Sequence, residues 1–352
     1  MNFLFKMFPG LPMDPTVIMM NMIAMAGATL HIYGGDLVVD THVKIDDASI
    51  ECSLDGHNCK LCLDYAAKVP VTDSFQTVGG NAANFAMGTS RLGLNSTIIS
   101  TIGDDSNGKI IISELKKNKV NTAGVIRDKK SKTRYSVVLN FQGERTILSY
   151  HNKKNYQWPK KMPKSDWIYY TSLSDGFAPL QKNLVKFLKQ NKEVKLAFNP
   201  GSFQLKYNIN LCKEILPLVD LLIVNLEEAK IISGVNLNQS AKTLVEALLG
   251  MGVKEVVITD GARGAFAGNA DGLWEMAPYD VPIVSKTGAG DSFSAGFMSA
   301  KILGHDTSTC LIWGTANSCS VLGHFGVEEG QLDQKGIKKM IEKYKAVQPV
   351  RL

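Results

Sequence analysis

The sequence predicts an α/β fold, a doubly wound and mostly parallel sheet flanked by helices with a small β-sheet lid, and three features carry that reading. From Asp166 onward strand and helix patterns alternate, which within one sheet implies parallel pairing. Three of those strands end in polar clusters, Asn199-Pro-Gly, Asn225-Leu-Glu-Glu228 and Thr259-Asp-Gly-Ala-Arg-Gly264, at the carboxyl ends where open α/β sheets collect ligands. Finally, the small-residue run Thr287-Gly288-Ala289-Gly290-Asp291 stops an apolar approach and opens straight into an amphipathic helix.

Residues 1–27 are rich in Met and apolar side chains but are broken by Pro9, Pro12, Asp14 and Pro15. They fall short of the ~20 apolar residues of a spanning helix, and Ala24-Met-Ala-Gly27 leads directly into a strand pattern, unlike a signal peptide. A poorly ordered or locally packed extension is expected there, with one folded domain over 28–352. The segment 29–45 reads as a long strand, first apolar and then alternating, leaving the core for a half-exposed sheet. Asp40 lies where the pattern changes, as a strand-end turn or as a ligand for hydroxyls. Short exposed strands follow over 46–77, so that one lid segment spans about 38–77.

A second glycine loop, Val78-Gly79-Gly80-Asn81-Ala-Ala-Asn84, opens a helix whose packing face is alanine. Asn81 is a natural N-cap; alternatively the bare backbone of Gly79 and Gly80 and the Asn81 and Asn84 amides face a polyhydroxy ligand. Next, Gly103-Asp-Asp-Ser-Asn-Gly108-Lys109 has Walker A spacing, but Ile110 replaces the required Ser or Thr and two aspartates sit where phosphates would go. It reads as an ordinary turn between a strand at 96–102 and a helix at 109–118. Alternating runs at 133–140 and 144–150 make a hairpin, assigned to a second lid segment at about 133–152. Strands are then expected at 167–171, 194–198, 221–224 and 255–259. The matching helices fall at 179–190, 211–216, 226–233, 240–249 and 291–303.

With 45% hydrophobic residues the chain can bury a large core. The net charge of +6 comes from 39 basic and 33 acidic residues, spread without a nucleic-acid stripe. The densest basic group, Lys153, Lys154, Lys160, Lys161 and Lys164, is interrupted by Pro159 and Pro163 and reads as a solvated connector. A mild positive field favours anionic substrates such as nucleotides. Six cysteines in mostly apolar contexts suit a reduced, cytoplasmic protein with no membrane segment. Cys52, His57, Cys59 and Cys62 form one local group, for which free thiols on a hairpin are favoured over a zinc site because the second pair lacks the usual separation.

Gly288, Ala289 and Gly290 carry almost no side chain, so backbone N–H groups can converge on an anion at the positive end of a helix. Asp291 then either caps that helix or serves as a general base for a substrate hydroxyl. The order of motifs along the chain bears on that choice: Gly35-Asp-Leu-Val-Val-Asp40, Gly79-Gly80-Asn81-x-x-Asn84, Gly103-Asp-Asp, Asn225-x-x-Glu228, Thr259-x-Gly261-x-x-Gly264 and Thr287-Gly-Ala-Gly-Asp291. In this order, over residues 28–335, the chain resembles the ribokinase-like, or PfkB, carbohydrate and nucleoside kinases.

The resemblance implies a kinase using ATP and Mg²⁺ to phosphorylate a primary hydroxyl. Asp291 would be the base and Gly288, Ala289 and Gly290 the anion hole. Asp40, Gly79, Gly80 and Asn84 would hold the sugar hydroxyls, with the lid closing over them. Asn225 and Glu228 would support Mg²⁺ through water, Thr259, Gly261 and Gly264 would line the nucleotide pocket, and Asn317 would approach the adenine. Where many members have Asp-Thr before the catalytic loop, this chain has Ser285 and Lys286, so potassium activation is not expected and Lys286 places a fixed charge near the phosphates. A sugar (ribokinase- or fructokinase-like) is favoured as substrate and a nucleoside is the alternative, which would need an aromatic shelf such as Tyr65, Tyr135 or Phe141. A non-catalytic ligand sensor on the same fold is the alternative of another class. The exposed lid strands would also allow a homodimer.

Overall fold

The structure, a computed structural model, describes residues 29–53, 59–150, 156–159, 164–235 and 240–352. The extension at 1–27, His57 and most of the basic connector lie outside the described residues. Strand β1 (Thr29–Gly34) is buried along almost its whole length, as a strand covered on both faces must be. The chain leaves it through Gly34 and Gly35, at φ 79° and 83°, and a Cβ on Gly35 would overlap that of Ala82. The long strand expected at 29–45 is therefore two, because this glycine pair turns the chain out of the core.

Strand β2 (Val38–Ile45) belongs to a second, smaller sheet. The hairpin of β3 (Ser49–Cys52) and β4 (Cys59–Cys62) stands apart from it, and β5 (Val71–Gly79) returns antiparallel to β2. Cys52 and Cys59 are joined by a disulfide across that hairpin, while Cys62 is a free thiol. This corrects the expectation of free thiols at Cys52 and Cys59, and the joined sulfurs have no thiolate to offer a metal.

Helix α1 (Asn81–Arg91) buries Ala82, Ala83, Phe85 and Ala86 against the large sheet. It leads to β6 (Asn95–Gly103), α2 (Ser106–Lys117) and β7 (Asn121–Asp128), the last a sheet-edge strand whose polar composition hid it from the sequence reading. The hairpin of β8 (Arg134–Phe141) and β9 (Glu144–Tyr150) completes the smaller sheet in the order β5-β2-β8-β9. Alternation then proceeds through β10 (Trp167–Thr171), α3 (Ala178–Gln190), β11 (Lys195–Asn199), α4 (Ser202–Ile215), β12 (Leu221–Asn225), α5 (Leu226–Ser233), α6 (Ala241–Gly250) and β13 (Val256–Thr259), with α4 starting well before the helix expected at 211–216.

Those strands lie parallel in the order β13-β12-β11-β10-β1-β6-β7. An antiparallel edge not foreseen in the sequence, β14 (Ala265–Asn269), β15 (Gly272–Met276) and the short C-terminal β16 (Val350–Arg351), extends the sheet beyond β13. The chain builds outward from β1 through β6 and β7 and then outward on the other side from β10. The carboxyl ends of β1 and β10 thus flank the switch point at which such sheets bind ligands.

Four helices close the chain: α7 (Ala289–Ile302), α8 (Thr307–Leu322), α9 (Val327–Gly330) and α10 (Gln334–Lys343). No described helix is long and apolar enough to cross a membrane. Helices α1, α7 and α8 touch backbone to backbone, since a Cβ on Gly296 would lie 2.5 Å from the Trp313 carbonyl and one on Gly88 would lie 2.8 Å from the Ala295 Cβ. Helix propensity alone would make Gly296→Ala stabilising by roughly 1 kcal/mol, but the clash is the larger effect. Thermal unfolding of Gly296→Ala is expected to show a net loss of about 1–3 kcal/mol.

Candidate active site

A cavity of about 370 Å³ opens at the switch point. Its floor is formed by Asp36 after β1, Ser172 after β10, Asn199, Gly201 and Ser202 after β11, and Glu228 in the first turn of α5. Gly80 and Asn81 contribute from the start of α1, Asp291 from α7, and Val38, Arg134, Ser136 and Ser149 from the smaller sheet above. A chain of hydrogen bonds stitches the strand ends beneath it. Asn199 donates through Nδ2 to the Ile223 carbonyl at 2.7 Å, and the Thr171 hydroxyl donates to Asn199 Oδ1 at 3.4 Å. Asn81 Nδ2 donates to that hydroxyl at 2.8 Å, while Asn81 Oδ1 accepts from the Asp36 backbone N–H at 3.1 Å. Asn81, expected as an N-cap, is instead the link between α1 and the loop after β1, and Gly80 takes the cap position.

Asp291 sits in the first turn of α7, whose N-cap is Gly288 at φ 72° with no side-chain cap. The orphan N–H groups of that turn stay open to an anion. One face of Asp291 meets the cavity and protein surrounds the rest, so burial pushes its carboxyl up to about 6. Asn84, itself buried, donates to Asp291 Oδ2 at 2.9 Å and moderates that shift. Glu228 is pushed to about 7 by burial, with its bond from the Asn225 N–H opposing and the Asp291 charge reinforcing the shift. Asn225 and Glu228 cap α5 reciprocally, each backbone N–H meeting the other's side chain at 2.9 Å.

The smaller sheet turns one face of β8 to the cavity. Its period-2 alternation puts Arg134 and Ser136 on that face, where Arg134 is ion-paired with Asp36. Asp40 pairs in register with Ser136, just beyond the lining, and a Cβ on Gly79 would lie 2.5 Å from Asp40 Oδ2, so a larger residue there would displace that carboxylate. Farther along the same sheet, Arg145 of β9 donates to the Thr287 hydroxyl and, at 3.3 Å, to that of Ser285, in the loop leading to α7.

Gly80, Glu228 and Asp291 are thus brought together as the sequence suggested. Asp40 and Gly79 stand next to the cavity, and Asn84 lies behind Asp291, where it orients the carboxylate. Thr259 ends β13, and Gly261 and Gly264 form the following turn; a Cβ on Gly264 would overlap the Met276 carbonyl, so its backbone is required by packing. Lys286 is exposed in the loop before Gly288. Asn317 departs from expectation: it is fully buried, donating to the Ser292 carbonyl at 2.8 Å and accepting from Leu332 N–H at 2.9 Å, so its amide is consumed in holding α7, α8 and the segment after α9 together. Asp36, Arg134, Ser136, Ser149, Ser172 and Arg145 were missed. Alternation at 133–140 carried the signal for Arg134 and Ser136, whereas Asp36 and Ser172 depend on long-range packing.

Residues 40–334 match the model of the pfkB family carbohydrate kinases. The chain belongs to that family. It is an ATP-dependent kinase by that membership. It is 25% identical over 254 residues to an uncharacterized sugar kinase of Archaeoglobus fulgidus, covering 69% of this chain and 98% of that one. The fold is shared with Arabidopsis thaliana ribokinase complexed with ribose and ATP, at TM-score 0.73 and 19% identity over 90% of this chain and 99% of that one. It is also shared with the Methanocaldococcus jannaschii nucleoside kinase, at TM-score 0.70 and 19% identity over 90% of this chain and 100% of that one.

Burial of Asp291 has a measurable cost. Its carboxyl moves from an ordinary 3.8 to about 6 on folding, so the proton is held more tightly in the folded state. The resulting stability is fully present below pH 4 and is lost as pH rises through about 6. Asp291→Asn is therefore expected to raise the melting temperature at pH 8 and to lose that advantage at pH 4, as read by thermal denaturation.

Proposed function

We propose that this kinase phosphorylates a primary hydroxyl of a sugar, with Asp291 as the general base. The observation that carries this is that Asp291 stands where a cavity lined mostly by polar side chains meets the uncapped N-terminus of α7. Its raised pKa suits a base working near neutrality. As the hydroxyl oxygen attacks the γ-phosphorus of ATP, its proton passes to Asp291 and ADP departs with the electrons of the broken P–O bond. The N–H groups at Gly288, Ala289 and Gly290 face the charge on the transferring group.

Sugar is favoured over nucleoside by the cavity wall. Among the described residues its lining is Asp, Glu, Asn, Arg, Ser and Gly, with only Val38 and Pro200 apolar and no aromatic ring to stack a base. The three aromatics considered for that purpose lie elsewhere: Tyr65 and Tyr135 are exposed and Phe141 is buried. Arg134 and Asp36 together with Ser136, Ser149 and Ser172 supply donors and acceptors for several hydroxyls. Their size class fits a small ligand in a site of ~300–1,000 Å³.

Mg²⁺ accompanying ATP fits the site because Glu228 and Asp291 present two half-buried carboxylates, both pushed up by desolvation, whose ionisation a cation would favour. Glu228, and Asn225 through its capping partner, would hold the ion, which supplies neutralisation of phosphate charge when bound. The turn at Thr259, Gly261 and Gly264 would border the nucleotide, with Lys286 and Arg145 near its phosphates. The segments at about 38–77 and 133–152 would act as a lid that excludes water.

ADP release from Mg-ATP across a panel of sugars and nucleosides tests this reading. A sugar is expected to drive turnover that falls by at least ~100-fold in Asp291→Asn. In wild type, kcat/KM for that sugar should rise with pH through about 6 to 7 and level above, as the carboxylates lose their protons. Undiminished turnover in Asp291→Asn, or turnover confined to nucleosides, would refute it.

A further inference from the structure

The Gly103-Asp104-Asp105 run does more than turn the chain from β6 into α2. Asp105 caps α2, with Oδ1 accepting from the Gly108 N–H at 2.8 Å. A cap needs only one acceptor. The rest of this carboxylate is spent on Thr133, the residue before β8: Oδ1 accepts the Thr133 hydroxyl at 2.7 Å and Oδ2 the Thr133 backbone N–H at 2.8 Å. The hydroxyl in turn accepts from the Gly103 N–H at 3.0 Å. Thr133 is 1% exposed, and a Cβ on Gly103 would lie 2.5 Å from its nitrogen, so glycine is what lets the two segments close. Burial pushes Asp105 upward, yet the bonds from Thr133 and Gly108 prevail and hold it below the usual carboxylate range.

Thr133 directly precedes Arg134, and Ser136 lies on the same strand face; both line the cavity. The other strands entering the smaller sheet are fixed where they pass Asn81, which holds the Asp36 backbone beside β2 and begins the helix that follows β5. Asp105 is the counterpart of Asn81 at the entry of β8. We propose that Asp105 and Thr133 form a positioning joint that sets β8, and with it Arg134 and Ser136, at the height where they meet the sugar. This rests on the reading of the cavity as the sugar site. Neither residue touches substrate; they act through the strand.

Thr133→Val tests the joint in the full chain, because it removes the hydroxyl at nearly constant volume and leaves the α2 cap and every cavity residue in place. The expected result is a KM for the sugar raised on the order of tenfold or more, from misplacement of contacts by a fraction of an ångström, with the KM for ATP unchanged. Thr133→Ser should restore the wild-type value. Asp105→Asn, which keeps Oδ1 as the cap acceptor but turns an N–H₂ toward the Thr133 N–H, should reproduce the split and serves if the valine variant does not fold. Thr307→Val is the control, removing a buried hydroxyl that bonds Glu255 at 2.6 Å away from the cavity; it should lower thermal stability without changing the sugar KM. Wild-type turnover of a sugar with an unchanged sugar KM in both Thr133→Val and Asp105→Asn would overturn the joint alone. No turnover of any sugar by wild type would overturn the underlying reading and the joint with it.

Discussion

Placing a carboxylate where water is largely excluded disfavours its charged form, and the site of this protein is built around that constraint at Asp291. Full desolvation would leave Asp291 protonated and useless as a base; full exposure would make it too weak a base to assist at neutral pH. The structure sits between the two. Asn84 donates one hydrogen bond from behind, the first turn of α7 offers its positive end, and the cavity leaves one face open. Glu228 across the cavity is subject to the same compromise, and its capping bond to Asn225 keeps it from rising further.

Such a balance requires surroundings that do not give. Glycine and alanine contacts bring α1, α7 and α8 to backbone distance, so that Asn84 and Asp291 are held by packed helices rather than by loops. Beneath the cavity, the hydrogen-bonded series from Ile223 through Asn199, Thr171 and Asn81 to Asp36 ties successive strand ends together. The smaller sheet then adds the parts that can distinguish one ligand from another, Arg134 and Ser136 among them. Rigid floor and separate roof are different elements joined at few points, which makes the joints themselves consequential.

The large sheet was legible in the sequence because its strands are short apolar runs separated by helical periodicity, a local signal. Asp291, Glu228 and the glycine loops were legible as motifs, since their roles depend on backbone shape near in sequence. Strand β7 was not, because edge strands carry polar residues, and the break between β1 and β2 was hidden by continuous β-type composition across two glycines. The disulfide between Cys52 and Cys59 was missed because register across a hairpin decides which cysteines meet. The enclosure of Asn317, expected near the adenine, was not legible, since nothing local tells a polar residue on a buried helix which partners await it. Asp36 was not legible as a cavity residue because only the fold brings the turn after β1 to the cavity, while Asp40 stands beside it on β2.

The central claim is that burial holds Asp291 poised as a base near neutral pH. Carboxyl ¹³C NMR of the ligand-free protein, with Asp291 assigned by its loss in Asp291→Asn, measures this directly. The account predicts an inflection at about 6. Titration close to the ordinary value of 3.8 would show a carboxylate in contact with bulk water and would contradict it.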